Sequence, residues 1–404
     1  MDRFTAAERE LRGAAPHALL AAARGALITH YAAVDVDLLM ADYALTILQP
    51  VDGAPDTAEP APIHSSAAGR AFGAQRVHTE TDPRTGELTA HLPISVRGDR
   101  IGVLSARFAE GGYDPAAEPE LAELAEVLGH EIVVAERDTD LYLQARRADR
   151  LTLAAEMQWE LLPARSCSRP EYDIGGGLEP AYAIHGDNFD WSASAGHLTL
   201  TVTNGMGEGV EAALLTSLAV HALRNGRRAD LSLADQAFLG DQAVYGHYRG
   251  RVHLAALLMR FELATGDVEV IDAGSPKVWR LRGGKVEPVE LEPQLPLGMF
   301  EDTLYTTQHL HLESGDRLLF VSDGVYDAVS PGGERYSERA LARAITSTRL
   351  LPPAQVPRAV LRELTTHRGS PEPDDDAMVV CLDWHGRDTA PPPAPAPDPA
   401  PDQL

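Results

Sequence analysis

At 404 residues the chain exceeds what one compact domain usually carries, and a hydrophobic content of 44% is ample for more than one buried core. A formal net charge of −25 disfavours nucleic acid and anionic membranes, which need basic patches, and suits a protein that binds cations or basic partner surfaces. No apolar run is long enough to span a bilayer, the charged start "MDRFTAAERE" lacks a signal-peptide core, and Cys167 and Cys381 lie far apart without metal spacing, so a cytoplasmic protein with reduced, structural thiols is expected.

Residues 1–137 open on a helical pattern, "ALLAAARGALITHYAA". Two strand-like stretches follow, "VDLLMADYALTILQP" and "TAHLPISVRGDRIGVLSARF", the second a hairpin turning at Arg97-Gly98-Asp99-Arg100. A last helix is predicted over "AAEPELAELAEVLGHEIVVAERD". This piece resembles a GAF domain. The resemblance implies an α/β sensor that either takes a small ligand or mediates a homodimer, and no residue identifies a ligand.

Residues 138–165 lack glycine, and lack proline until Pro163. A connecting helix is predicted, with Leu151, Ala154, Gln158 and Leu161 on one face. It either pairs with its twin in a second subunit or packs on its own domain.

Residues 166–385 hold alternating runs: "HLTLTVT", "RVHLAALLMRFEL", "DVEVIDAG", "KVWRLRGGKVEPVEL", "DRLLFVSDG" and "DAMVVCLDW". Two helices sit among them, "GVEAALLTSLAVHALRNGRR" and "SERALARAITSTR". The fold class is α+β, a β-sandwich covered by helices. The Pro/Ala-rich segment 386–404 is expected to be an unfolded tail.

Four sites stand where strands meet turns: Asp187, Asn204-Gly205, Asp323-Gly324 and Asp375. A two-residue turn at Ala195-Gly196 would pair Ser194 with His197 and set Asp187 opposite Asn204, their Cβ atoms roughly 5 Å apart. A direct contact between the two is then expected. Oxygen ligands of this kind suit Mg²⁺ or Mn²⁺, and an ion pair could activate a water against a phosphoryl group. No stretch reads as a P-loop, and no His or Cys pair has zinc spacing.

The motif order Gly186-Asp187, Asn204-Gly205-Met206-Gly207-Glu208-Gly209, Ser322-Asp323-Gly324 and Asp375-Asp376 resembles the SpoIIE-type branch of the PPM (PP2C-like) protein serine/threonine phosphatases. "DAGSPKVWRL", "PLGMF" and the leading "EMQWELLPA" extend the likeness. It implies a PP2C-like α-β-β-α sandwich and two metal ions, Mn²⁺ or Mg²⁺. Asp187 would ligate one ion, Asp323 and Asp375 the other, and Gly205 would lend its carbonyl. Position 204, where the family has an aspartate bridging both ions, here holds an amide with one good ligating oxygen and no charge. The resemblance also implies a phosphoserine or phosphothreonine regulatory protein as substrate, an anti-anti-sigma-type regulator, with control by the GAF-like domain. The alternative is a pseudophosphatase that binds such a partner without hydrolysing it.

Among the neighbours, His185 either narrows the site, adds a ligand or stands by incidentally. Asp190, Asp327, Asp374 and Asp376 are expected behind the ligands or in solvent. Glu208 and Glu211 belong to the first turn of a helix. Phe189, Trp191 and Met206 are read as packing residues.

Overall fold

A computed structural model describes residues 2–51, 59–148, 150–179, 185–274, 276–370 and 375–387. Asp374 and the tail from residue 388 lie outside them.

The first part of the chain is a six-stranded antiparallel sheet. Strand Ala33–Ala41 and strand Asp99–Phe108 are central. Helices Arg3–Arg12, Leu19–Tyr31 and Glu118–Ala135 cover one face, burying Leu27, Leu104, Leu124 and Leu128. The short helix Ala67–Ala74 covers the other, over Leu39, Leu48 and Val103. The predicted hairpin forms with its turn narrowed to Arg97 and Gly98, because Val96 already pairs with Asp99. Both turn residues have positive φ, as a two-residue hairpin requires.

The predicted connecting helix is interrupted. Helical residues are Leu141–Ala145 and Leu153–Leu161, and residues 146–148 and 150–152 are not helical. The reason is local. Tyr142 is drawn into the first core, its hydroxyl donating to Pro16 O at 2.7 Å. Thr152 then starts a fresh helix, its Oγ1 accepting from Ala155 N at 3.2 Å. That second helix packs on its own chain, burying Ala154 and Ala155 against Ala213.

Two antiparallel sheets make up the rest. One runs Gln308–His311, Asp267–Ala273, Leu254–Glu262, His197–Gly205, Asn188–Ala193. The other runs Lys285–Pro288, Lys277–Arg282, Arg317–Val321, Ala377–Trp384, Tyr172–Glu179, Ser166–Arg169. They stack face to face around Leu200, Val202, Met259, Phe261, Phe320 and Val380. Helices Gly209–Arg228 and Leu233–Tyr248 cover the outside of the first sheet. Helices Ala340–Ser347 and Val356–Arg368 cover the outside of the second. Strands buried on both faces explain why "RLLFV" and "AMVVCL" are continuously apolar. Leu318 and Phe320 face the sandwich, while Leu319 and Val321 face the helices.

Strand Tyr172–Glu179 and helices Leu233–Tyr248 and Val356–Arg368 are absent from the sequence reading. The strand is masked by Gly175-Gly176-Gly177, which packing demands. A Cβ at Gly175 would lie 2.5 Å from Pro353 O and 2.6 Å from Ala354 Cα. Replacing Gly175 with Ala should therefore cost about 1–3 kcal/mol, the usual range for overpacking. A urea denaturation midpoint unchanged from wild type would refute this.

Candidate metal centre

The hairpin register follows the sequence expectation. Leu198 pairs with Ala193, and the ladder continues without a slip to Thr203 opposite Asn188. Ser194 N donates to His197 O at 2.8 Å, closing the turn at Ala195-Gly196. Two residues beyond the ladder, Gly205 N donates to Gly186 O at 3.2 Å. Asn204 thus stands opposite Asp187.

Their side chains do not meet as expected. Among the described residues no hydrogen bond joins them. The chain turns at Gly186, φ 112°, and carries the Asp187 carboxylate inward, where it is 3% exposed. Asn204 reaches the other way, and its Nδ2 donates to Asp323 Oδ1. The amide nitrogen therefore faces the Asp323 carboxylate.

Asp323 opens a one-turn helix, Asp323–Tyr326, directly after strand Arg317–Val321. Gly324 allows that helix to touch the neighbouring strand, since a Cβ there would lie 2.0 Å from Asp376 O. Asp375 sits at the solvent edge of the cluster and Asp376 is fully buried. Asp376 Oδ2 accepts from three successive backbone amides, His185 at 2.7 Å, Gly186 at 3.1 Å and Asp187 at 3.4 Å. Thr216 Oγ1 donates to Gly186 O at 2.8 Å, and Gln158 Nε2 donates to Asp187 O. The loop that presents Asp187 is therefore held from three sides.

The electrostatics are those of unneutralised anions. Burial, then the charge of Asp376, raises the Asp187 carboxyl well above its ordinary range, with Asp323 and Asp375 adding to it and the Ser322 hydroxyl opposing. Burial likewise raises Asp376, against the His185 and Asp187 amides. The protein packed behind Asp375, and then the Asp323 charge, raises that carboxyl as well. Among the described residues none of the four carboxylates makes an ion pair. Asp187 Oδ2 and Asp376 Oδ1 are buried without a hydrogen-bond partner.

Orphaned, mutually repelling carboxylate oxygens fit a hard divalent cation in charge and donor type. The geometry is less complete. Among the described residues no three acidic, His or Cys side chains stand together as a ready ligand set. At position 204 the amide nitrogen engages Asp323, and a half-turn about its terminal bond would present the oxygen instead.

Met206, Asp190 and Glu208 depart from expectation, while Glu211, Asp327 and Phe189 follow it. Met206 is 43% exposed, on a turn that lies outside the sheet. Asp190 neither backs the site nor meets solvent: it is buried in ion pairs with Arg224 at 2.7 Å and Arg227 at 2.9 Å. Glu208 is the N-cap residue of helix Gly209–Arg228, and Glu211 lies in its first turn. Asp327 pairs with Arg335 at 3.0 Å on the surface. Phe189 is buried and stacks on Trp191, their centroids 5.3 Å apart. The sequence reading placed Gln158 on a helix face and Asp376 behind the ligands or in solvent, but gave Gln158, Thr216 and Ser322 no part in the site and did not foresee the three-amide clamp at Asp376.

Residues 194–385, just under half of the chain, match the family described as Stage II sporulation protein E (SpoIIE). Asn204, Asp323 and Asp375 fall inside the matched segment, and Asp187 just ahead of it. No curated protein matches the chain. Among solved structures, the RsbU and RsbW domains of a Mycobacterium tuberculosis protein are 23% identical with a TM-score of 0.47, covering 54% of this chain and 61% of that one. The SiaA-PP2C domain of Pseudomonas aeruginosa is 20% identical with a TM-score of 0.48, covering 57% and 94%. The PP2C phosphatase domain of Bacillus subtilis SpoIIE, with a fragment of its regulatory domain, is 15% identical with a TM-score of 0.48, covering 77% and 82%.

The clamp makes a testable distinction. Asp376→Asn keeps an oxygen for the backbone amides and should leave stability near wild type. Asp376→Ala strands buried N–H groups and should cost about 1–3 kcal/mol. Equal denaturation midpoints for the two variants would show that Asp376 is no clamp.

Proposed function

We propose that the chain is a metal-dependent phosphoprotein phosphatase acting on phosphoserine or phosphothreonine of a regulatory protein, and that its first domain controls it. The observation that carries this is the buried, partnerless Asp187 Oδ2 facing Asp376, Asp323 and Asp375, inside or beside a SpoIIE-type segment. Asp187, Asn204, the Gly205 carbonyl, Asp323 and Asp375 would hold Mn²⁺ or Mg²⁺. A bound divalent ion supplies charge neutralisation and polarises a phosphoryl oxygen. The protein's own share is positioning: Asp376, Thr216 and Gln158 fix the 185–187 backbone, and Gly324 seats Asp323 beside Asp375.

A GAF-like sensor reading of residues 1–137 is supported by its six-stranded antiparallel sheet with helices on both faces. Its route to the site is short. Tyr43 of the first domain stacks on Trp159, centroids 4.8 Å apart, and the adjacent Gln158 donates to Asp187 O.

A second reading rests on the Asn204 nitrogen facing Asp323. On that reading the domain binds its phosphorylated partner and does not cleave it. Mn²⁺-dependent hydrolysis of p-nitrophenyl phosphate and of a phosphoserine protein decides between them. We expect turnover by the wild type, a fall to background in Asp323→Ala, and a gain on the order of tenfold in Asn204→Asp through restored ligand charge. No wild-type turnover, with turnover appearing in Asn204→Asp, establishes the pseudophosphatase.

A further inference from the structure

A cavity of about 590 Å³ opens where the first domain, the helix Leu153–Leu161 and the sandwich meet. That is within the size range of small-molecule sites. Its apolar walls come from all three: Tyr43 from the first domain, Trp159 from the helix, and Leu178, Phe189 and Leu361 from the sandwich. Its charged lining is basic, in a chain whose net charge is −25. Arg165, Arg358 and Arg362 line it, with Glu179 the one acidic side chain among the described lining residues.

Arg165 is the central feature. It is 9% exposed, lies over the Trp159 ring at 4.8 Å and the Tyr43 ring at 5.8 Å, and donates through Nη1 to Asp42 O at 3.2 Å. Its Nη2 is buried with no hydrogen-bond partner. Burial, and then the charge of Arg146, pulls this guanidinium down to about 9, against the opposing pull of the Asp99 and Asp42 carboxylates. Among the described residues Arg358 and Arg362 make no ion pair. A buried guanidinium with one unpartnered N–H group, beside two arginines without ion pairs, favours an anion in the cavity.

We infer that this cavity binds a small amphipathic anion, an aromatic or aliphatic body carrying a carboxylate, sulfonate or phosphate, with the acid group drawn to Arg165, Arg358 and Arg362 and the body between Trp159, Leu178 and Leu361. The occupant touches both domains. It also touches Trp159, next to Gln158, and Phe189, two residues after Asp187, and Gln158 donates to Asp187 O at the candidate metal site. That second link rests on the phosphatase reading, whereas binding does not.

Binding is measured on the full chain with 1-anilinonaphthalene-8-sulfonate, an anionic aromatic dye, against its neutral analogue N-phenyl-1-naphthylamine. The expected result is saturable one-site binding of the sulfonate, at least tenfold tighter than the neutral dye. Arg165→Gln should weaken it by tenfold or more, Arg358→Gln should weaken it several-fold, and Leu361→Trp should abolish it by filling the cavity. Should Arg165→Gln fail to fold, Arg358→Gln and the neutral dye decide. No saturable binding, equal binding of both dyes, or affinity unchanged in the arginine variants overturns the inference. Dye binding without phosphatase turnover leaves the cavity standing and removes only the hydrolase reading; turnover without dye binding does the reverse.

Discussion

The seam between the two stacked sheets is held where one buried carboxylate gathers the backbone of another strand. Asp376 precedes strand Ala377–Trp384 of one sheet, and residues 185–187 lead into strand Asn188–Ala193 of the other. Three amides converge on Asp376 Oδ2, so the position of Asp187 is fixed relative to the opposite sheet. The arrangement concentrates negative charge in a poorly solvated place, which folding alone would not favour. The rest of the site accommodates that choice. Glycine at 324 brings Asp323 close, and Thr216 and Gln158 satisfy the carbonyls of the same loop.

Much of this was legible in the residues, because strand pairing is arithmetic once a turn is placed. Ala195-Gly196 set the register, and the ladder from Leu198 to Thr203 keeps it. What register cannot give is side-chain direction past the last paired residue. Asp187 turns inward after Gly186, and Asn204 turns outward to Asp323. Periodicity failed where glycine or proline serves packing. Gly175-Gly176-Gly177 hid a strand whose glycines admit Pro353-Ala354, the Phe189 ring and Pro357 in turn, and Pro357 at the start of helix Val356–Arg368 obscured that helix. The apparent continuity of residues 138–165 misled for a related reason. Tyr142 belongs to one core and Ala155 to another packing group, so the helix had to break between them.

The two parts of the chain are joined by backbone as well as side chains. The Arg97-Gly98 hairpin tip meets the edge strand Ser166–Arg169, with Ser168 N donating to Arg97 O at 3.1 Å and Ser166 Oγ donating to Gly98 O at 2.8 Å. Arg165 N donates to Asp99 Oδ1 at 3.1 Å, and Gln355 Nε2 donates to Gly73 O at 2.7 Å. An edge strand that would otherwise offer free amides is thus covered by the first domain. A rotation of that domain would have to break this fringe of polar contacts, and the cavity beside it would change shape with it.

The pair Asn204-Gly205 has one further property, which belongs to covalent chemistry. A glycine after asparagine leaves the next backbone nitrogen unhindered to attack the side-chain amide, expelling ammonia and leaving an acid after hydrolysis. Here that nitrogen, on Gly205, is engaged with Gly186 O. The hydrogen bond that extends the hairpin therefore also shields the amide from its own backbone. At position 204 an exchange of amide for carboxylate by this route would have to begin with the opening of one backbone hydrogen bond.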